Sequence, residues 1–248
     1  MDLIRQKLKY VLSVSLIFAS TSLFASNELI DAIALDGGDI KQIKKLLKSG
    51  ISPDSKDDKG NPAVYLAIIQ RKTKTAELLI KKGADPNSKN AFGSPILMTA
   101  AGSGDISLVK LMLKKGADAN AKFARYDGVN SLMIAAEEGY DKIITLLLKA
   151  GADVNAVTDS GDTALIAASA KGKLSTIKLL LKNGANINAR SKSGYTALFI
   201  AISEGNTNLV KLLLEQGADP KLVNEDGDNA YVLADIIGNT NIMNLLKK

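Results

Sequence analysis

The chain has 248 residues and contains no His, Cys or Trp. That excludes an imidazole base, a thiolate nucleophile, Cys/His zinc sites and disulfide staples. With 46% apolar residues, 23% charged residues, few aromatics (4%) and a net charge of +6, the composition suits a folded protein of helices packed through short side chains.

Residues 1–25 read as a secretory signal. Arg5, Lys7 and Lys9 stand against a single Asp2, an apolar run fills 10–24, and Ala25 precedes polar residues. This is the basic, apolar, small-residue order of a cleaved signal peptide. The apolar run falls short of the ~20 residues of a membrane span. Cleavage is expected after Ala25, although Leu23 is a weaker −3 residue than Ala; the alternative is an uncleaved anchor helix. No Cys follows to carry a lipid anchor. Loss of this segment leaves 29 basic and 25 acidic residues, a net +4. A periplasmic or secreted location is expected, with no membrane span in the mature chain. A chain without Cys is indifferent to an oxidising compartment.

After the signal, glycine repeats with a fixed period. Gly60, Gly93, Gly128, Gly161, Gly194 and Gly227 are spaced by 33, 35, 33, 33 and 33 residues. Gly50, Gly83, Gly116, Gly151, Gly184 and Gly217 are spaced by 33, 33, 35, 33 and 33, with the same single step of 35. Every proline falls on one of two positions in this period: Pro53, Pro86 and Pro220, or Pro62 and Pro95. Each period predicts two short helices. In one unit Thr163 caps the first, which carries Leu165, Ala168 and Ser169 and ends at Gly172. Asn130, Thr196 and Asn229 take the capping place elsewhere. The second helix buries Ile177, Leu180 and Leu181 and stops at Gly184, where positive φ favours glycine. Asn186 and Asn188 then open an extended turn. Ala135, Ala168 and Ala201 keep the first helices thin enough to stack closely.

These residues resemble the ankyrin repeat, clearest in GYTALFIAISEGNTNLVKLLLEQGADP (194–220) and GVNSLMIAAEEGYDKIITLLLKAGADVN (128–155). The resemblance covers 27–248. It implies an all-α ankyrin-repeat solenoid of stacked helix-turn-helix units with short β-hairpin-like turns. The units lie near 27–54, 55–87, 88–120, 121–155, 156–188, 189–221 and 222–248, and the first and last read as capping units. The family's His is replaced by Tyr65, Met98, Met133, Ile166, Phe199 and Val232, so packing is expected to substitute for its hydrogen bonds. Pro62 and Pro95 stand at the capping position, where they fix φ but cannot cap. Arg71 replaces a helix-ending glycine and Thr75 an apolar core residue, which marks the second unit as the least stable interior one.

Little in the sequence carries chemistry. Asp118-x-Asn120 and Asp153-x-Asn155 match the start of a calcium loop, but the later ligand positions hold Lys122, Val129, Val157 and Ala164, so these pairs read as the repeat's own turn. Gly102-Ser103-Gly104 lacks the strand and Lys of a phosphate loop and reads as a helix end. Glu137 and Glu138 are adjacent on a helix and diverge by ~100°, which suits a solvated or partner-facing role better than an acid/base pair. Lys48, Lys81, Lys114, Lys149 and Lys182 fall in the last turns of second helices, where cations complement the C-terminal dipole. The acidic residues Asp58, Asp127, Asp159, Glu204 and Glu225 would repel phosphates, so no nucleic acid is expected. Repeats account for all the chain after the signal; no enzyme activity, cofactor or metal is expected.

The resemblance implies binding through the turn tips and the exposed side of the first helices. On the tips, Phe92, Tyr126 and Tyr195 stand out in a chain poor in aromatics. The single 35-residue step lengthens one turn, AKFARYDG (121–128), which holds Phe123, Arg125 and Tyr126. These three, with Phe92, are the expected centre of a protein-binding site, and Glu137, Glu138 and Tyr195 are further candidates. The expected function is a monomeric, non-enzymatic protein–protein interaction module of the bacterial periplasm. The alternative is a secreted effector or toxin-associated factor acting on a host or competitor protein.

Overall fold

The computed structural model describes residues 28–34 and 39–247, so the signal reading lies outside the described residues. The chain divides into two compact units, one up to Tyr126 and one from Asp127, and the division falls inside the lengthened turn. The first unit holds α1 (Glu28–Ala34), α2 (Ile40–Lys48), α3 (Ala63–Ile69), α4 (Thr73–Lys81), α5 (Ile96–Gly102), α6 (Ile106–Lys114) and the two-residue strand β1 (Lys122–Phe123). The second holds β2 (Val129–Asn130), α7 (Ser131–Glu138), α8 (Asp141–Lys149), α9 (Ala164–Ala170), α10 (Leu174–Lys182), α11 (Ala197–Ser203), α12 (Thr207–Glu215), α13 (Ala230–Ile237) and α14 (Thr240–Leu246).

Helices of seven to nine residues are ~10–13 Å long and marginal alone. They gain stability by stacking. Each first helix packs on its own second helix, as α3 on α4 and α11 on α12. First helices also stack on first helices, α1–α3–α5 in one unit and α7–α9–α11–α13 in the other. Ala67, Ala100, Ala135, Ala168, Ala201 and Ala234 are all fully buried at the contact, as small residues must be for such close approach.

The caps follow the sequence expectation. The side chains of Asn130, Thr163, Thr196 and Asn229 each accept from a backbone N–H of the first turn. Pro62 and Pro95 sit at N-caps without a side-chain bond. At the end of α8, Gly151 takes φ 88°. Its N–H donates to Leu148 and the Ala152 N–H to Leu147, both to carbonyl oxygens, which closes the helix as a Schellman turn. Arg71 takes φ 57° where other first helices place glycine, and Thr75 is buried at 2% exposure.

The missing family His is compensated in more than one way. Met98, Met133, Ile166 and Phe199 are buried and pack as expected. Tyr65 departs from that expectation: its side chain is hydrogen-bonded to Asn90, and burial raises its titration above the ordinary phenol range. Val232 also departs, being 41% exposed with no repeat stacked beyond it among the described residues.

Candidate protein-binding surface

The turns are built by short polar side chains that hold the backbone and leave selected residues standing out. Asn90 Oδ1 accepts from the Phe92 and Ser94 N–H groups, at 3.0 and 2.9 Å. Asp57 does the same for Lys59 and Asn61. Asn61 Oδ1 then accepts from the Ala91 N–H at 2.9 Å and fixes one turn on the next. Asn61 and Ser94 are accordingly buried and unavailable as tip contacts. Phe92, held by this frame, is 50% exposed.

Arg125 lies over the same turn. A Cβ placed on Gly93 would come 3.9 Å from Arg125 Cδ. The Arg125 side chain is exposed, so an aromatic residue and an arginine stand on adjacent turns of the first unit, with the Arg125 chain against Gly93, the neighbour of Phe92. Phe123 contradicts its expected role as a projecting anchor: it is 8% exposed. Tyr126 stacks on it, with ring centroids 5.7 Å apart and planes 13° from parallel. Phe123 folds inward because an exposed ring beside a stackable tyrosine gains by burying its face. It supports Tyr126, which is half-buried, while Phe92 and Arg125 meet solvent.

In the second unit Glu137 also departs from expectation. It is 6% exposed and forms an ion pair with Lys171 at 3.3 Å. Burial pushes its carboxyl above the ordinary range, the charge and hydrogen bond of Lys171 oppose that, and Glu138 adds to it. A lysine one repeat further on reaches back and covers Glu137, so only Glu138 of the pair stays partly accessible. Tyr195 is half-buried and meets Phe199 edge to face, 6.0 Å between centroids and 85° between planes.

The D-x-N pairs are structural. The Asn155 N–H donates to Asp153 Oδ1 at 2.9 Å. The Asn155 carboxamide bridges to the next repeat, accepting from the Asn186 N–H at 2.8 Å and donating to the Gly184 carbonyl at 3.0 Å. Asn87 makes the same pair of bonds to Asp118 and Gly116. Sequence reasoning placed such asparagines in a turn but missed their bridging; the recurrence of Asn three residues after GA, at Asn87, Asn120, Asn155 and Asn188, is the signal that could have found it. Among the described residues no cluster of three or more acidic groups could hold a metal, and no helix is long and apolar enough to cross a membrane.

A family model for ankyrin repeats, three copies, matches residues 29–123, 74–158 and 132–224. The chain therefore belongs to the ankyrin-repeat family, whose repeats support protein–protein interaction and whose fold is typically a non-enzymatic scaffold. Among solved structures it is similar to the ankyrin repeat domain of Bcl-3, described as a unique member of the IkappaB protein family. The two are 27% identical, the match covers 90% of this chain and 99% of that one, and the TM-score is 0.77. No curated protein matches the sequence.

Proposed function

We propose that this protein is an exported, monomeric, non-enzymatic module that binds a partner protein, with contact centred on Phe92, Arg125 and Tyr126. The observation that carries the reading is the half-exposed Phe92, on a turn whose backbone is fixed by hydrogen bonds, with the exposed Arg125 of the next turn lying against its neighbour Gly93. Aromatic and arginine side chains on a rigid frame give contact area at low entropic cost, which is why such residues dominate interface energetics. Phe123 contributes beneath the surface by holding Tyr126. Export rests on the basic and apolar order of residues 1–25.

Affinity capture with the exported protein as bait tests the binding site. A Phe92→Ser/Arg125→Ala variant should lose about 2 kcal/mol of binding, near 30-fold in Kd, and keep its melting temperature. Phe123→Ala should instead lower the melting temperature, because it empties a buried site. Full partner recovery by the surface variant would contradict the assignment. For export, the recovered protein should begin at or within a few residues of Ser26; soluble cytoplasmic protein beginning at Met1 would contradict it.

A further inference from the structure

We propose that the first unit carries a second binding site, a cleft between the α3–α4 and α5–α6 helix pairs that takes an acidic peptide segment of a partner, its carboxylate on Arg71 and a neighbouring apolar side chain on Ile68 and Ile106. The proposal is independent of the turn-tip reading, since the cleft lies at the opposite end of α3 and α5 from Phe92.

The cleft measures about 420 Å³, and Ile68, Arg71, Thr73, Asp105, Ile106 and Leu108 are among its walls. That volume is at the small end of ligand pockets and fits a pair of side chains rather than a whole domain. Arg71 is the unusual feature. Its equivalents Gly104, Gly139, Gly172, Gly205 and Gly238 all have positive φ, as does Arg71 at 57°. The repeat thus holds an arginine where its backbone geometry calls for glycine, and the guanidinium makes no hydrogen bond or ion pair among the described residues. Backbone strain kept in this way clusters at binding sites.

The other charge in the cleft is already engaged. Asp105 accepts from Thr73 Oγ1 at 2.5 Å, from the Leu108 N–H at 3.0 Å and from Ser107 Oγ at 2.9 Å. It caps α6 and ties it to α4 through Thr73; its charge stays in the cleft, but it makes no ion pair with Arg71. Exposed Lys74 adds to the positive side, and Glu77 is held by Lys81 and Ser107. Ile106 is 41% exposed beside the arginine, an apolar surface that only an apolar side chain would cover with profit. A single carboxylate suits the site better than a phosphate, because the charge of Asp105, which also lines the cleft, repels a dianion more strongly than a monoanion.

The test is an NMR titration of the ¹⁵N-labelled full chain with acetyl-Glu-Leu-amide, acetyl-Gln-Leu-amide and inorganic phosphate in parallel. The acidic peptide should give saturable shifts confined to residues 68–74 and 103–108, about tenfold weaker with the glutamine peptide. Arg71→Gln, which keeps the strained backbone, and Arg71→Gly, which relieves it, should both abolish the response while melting no lower than wild type. Equal response to the two peptides, a response that survives either substitution, no saturable response to the acidic peptide, or the same shifts from phosphate alone would each overturn the proposal.

Discussion

Arg71 and Glu137 are residues whose local environment works against them. An L-residue at φ 57° carries about 1–2 kcal/mol of steric strain, part of which glycine returns as lost chain entropy. Arg71→Gly should therefore stabilise the protein by about 0.5–1 kcal/mol in denaturant melts; a loss would show that the side chain supports the fold. Glu137 is lifted chiefly by burial, so the folded state holds its proton more tightly than the unfolded chain does. Its contribution thus favours folding at low pH and is lost as pH rises through the raised range, from about pH 4.3 upward. Glu137→Gln removes that dependence. Its stability relative to wild type should rise as pH climbs above the ordinary glutamate range, and a relative fall would contradict the assignment.

At the scale of the element, the glycine series separates into two physical roles. Gly151 ends α8 with φ 88°, and a Cβ there would meet nothing within 4 Å. Gly194 has φ 77°, and a Cβ there would lie 2.7 Å from Asn224 Cα and 3.0 Å from the Val223 carbonyl oxygen. Gly151→Ala should cost only the backbone term, about 1–2 kcal/mol. Gly194→Ala should cost a further ~1–3 kcal/mol, because the backbone of the following turn must move. Equal costs would show that the turns are not packed as described. Helix ends and caps were legible because Gly, Thr and Asn act there through local geometry. Spacing could not reveal that Gly194 is crowded and Gly151 open, since both recur at the same period and crowding is set by a turn 30 residues on.

For the whole molecule, the period of 33 made the family and the all-α class readable from sequence, since repeats can bury their apolar faces only by stacking. The surface was less readable. Phe92 and Arg125 stand exposed as the sequence suggested, but Phe123 and Glu137 are buried. One is drawn in by a stacking partner and the other is covered by a lysine one repeat away, and neither is encoded in local pattern. The structure also exposes apolar residues that the sequence did not mark as surface, with Tyr231, Val232, Ile236 and Ile237 all on α13. They give a competing surface for a partner. Amide hydrogen exchange of the protein, free and bound to the partner recovered by capture, distinguishes the two most directly. The account predicts slowed exchange on binding at residues 91–94 and 122–126, with α13 unchanged. Protection confined to 230–237, with the two turns exchanging as in the free protein, would contradict it.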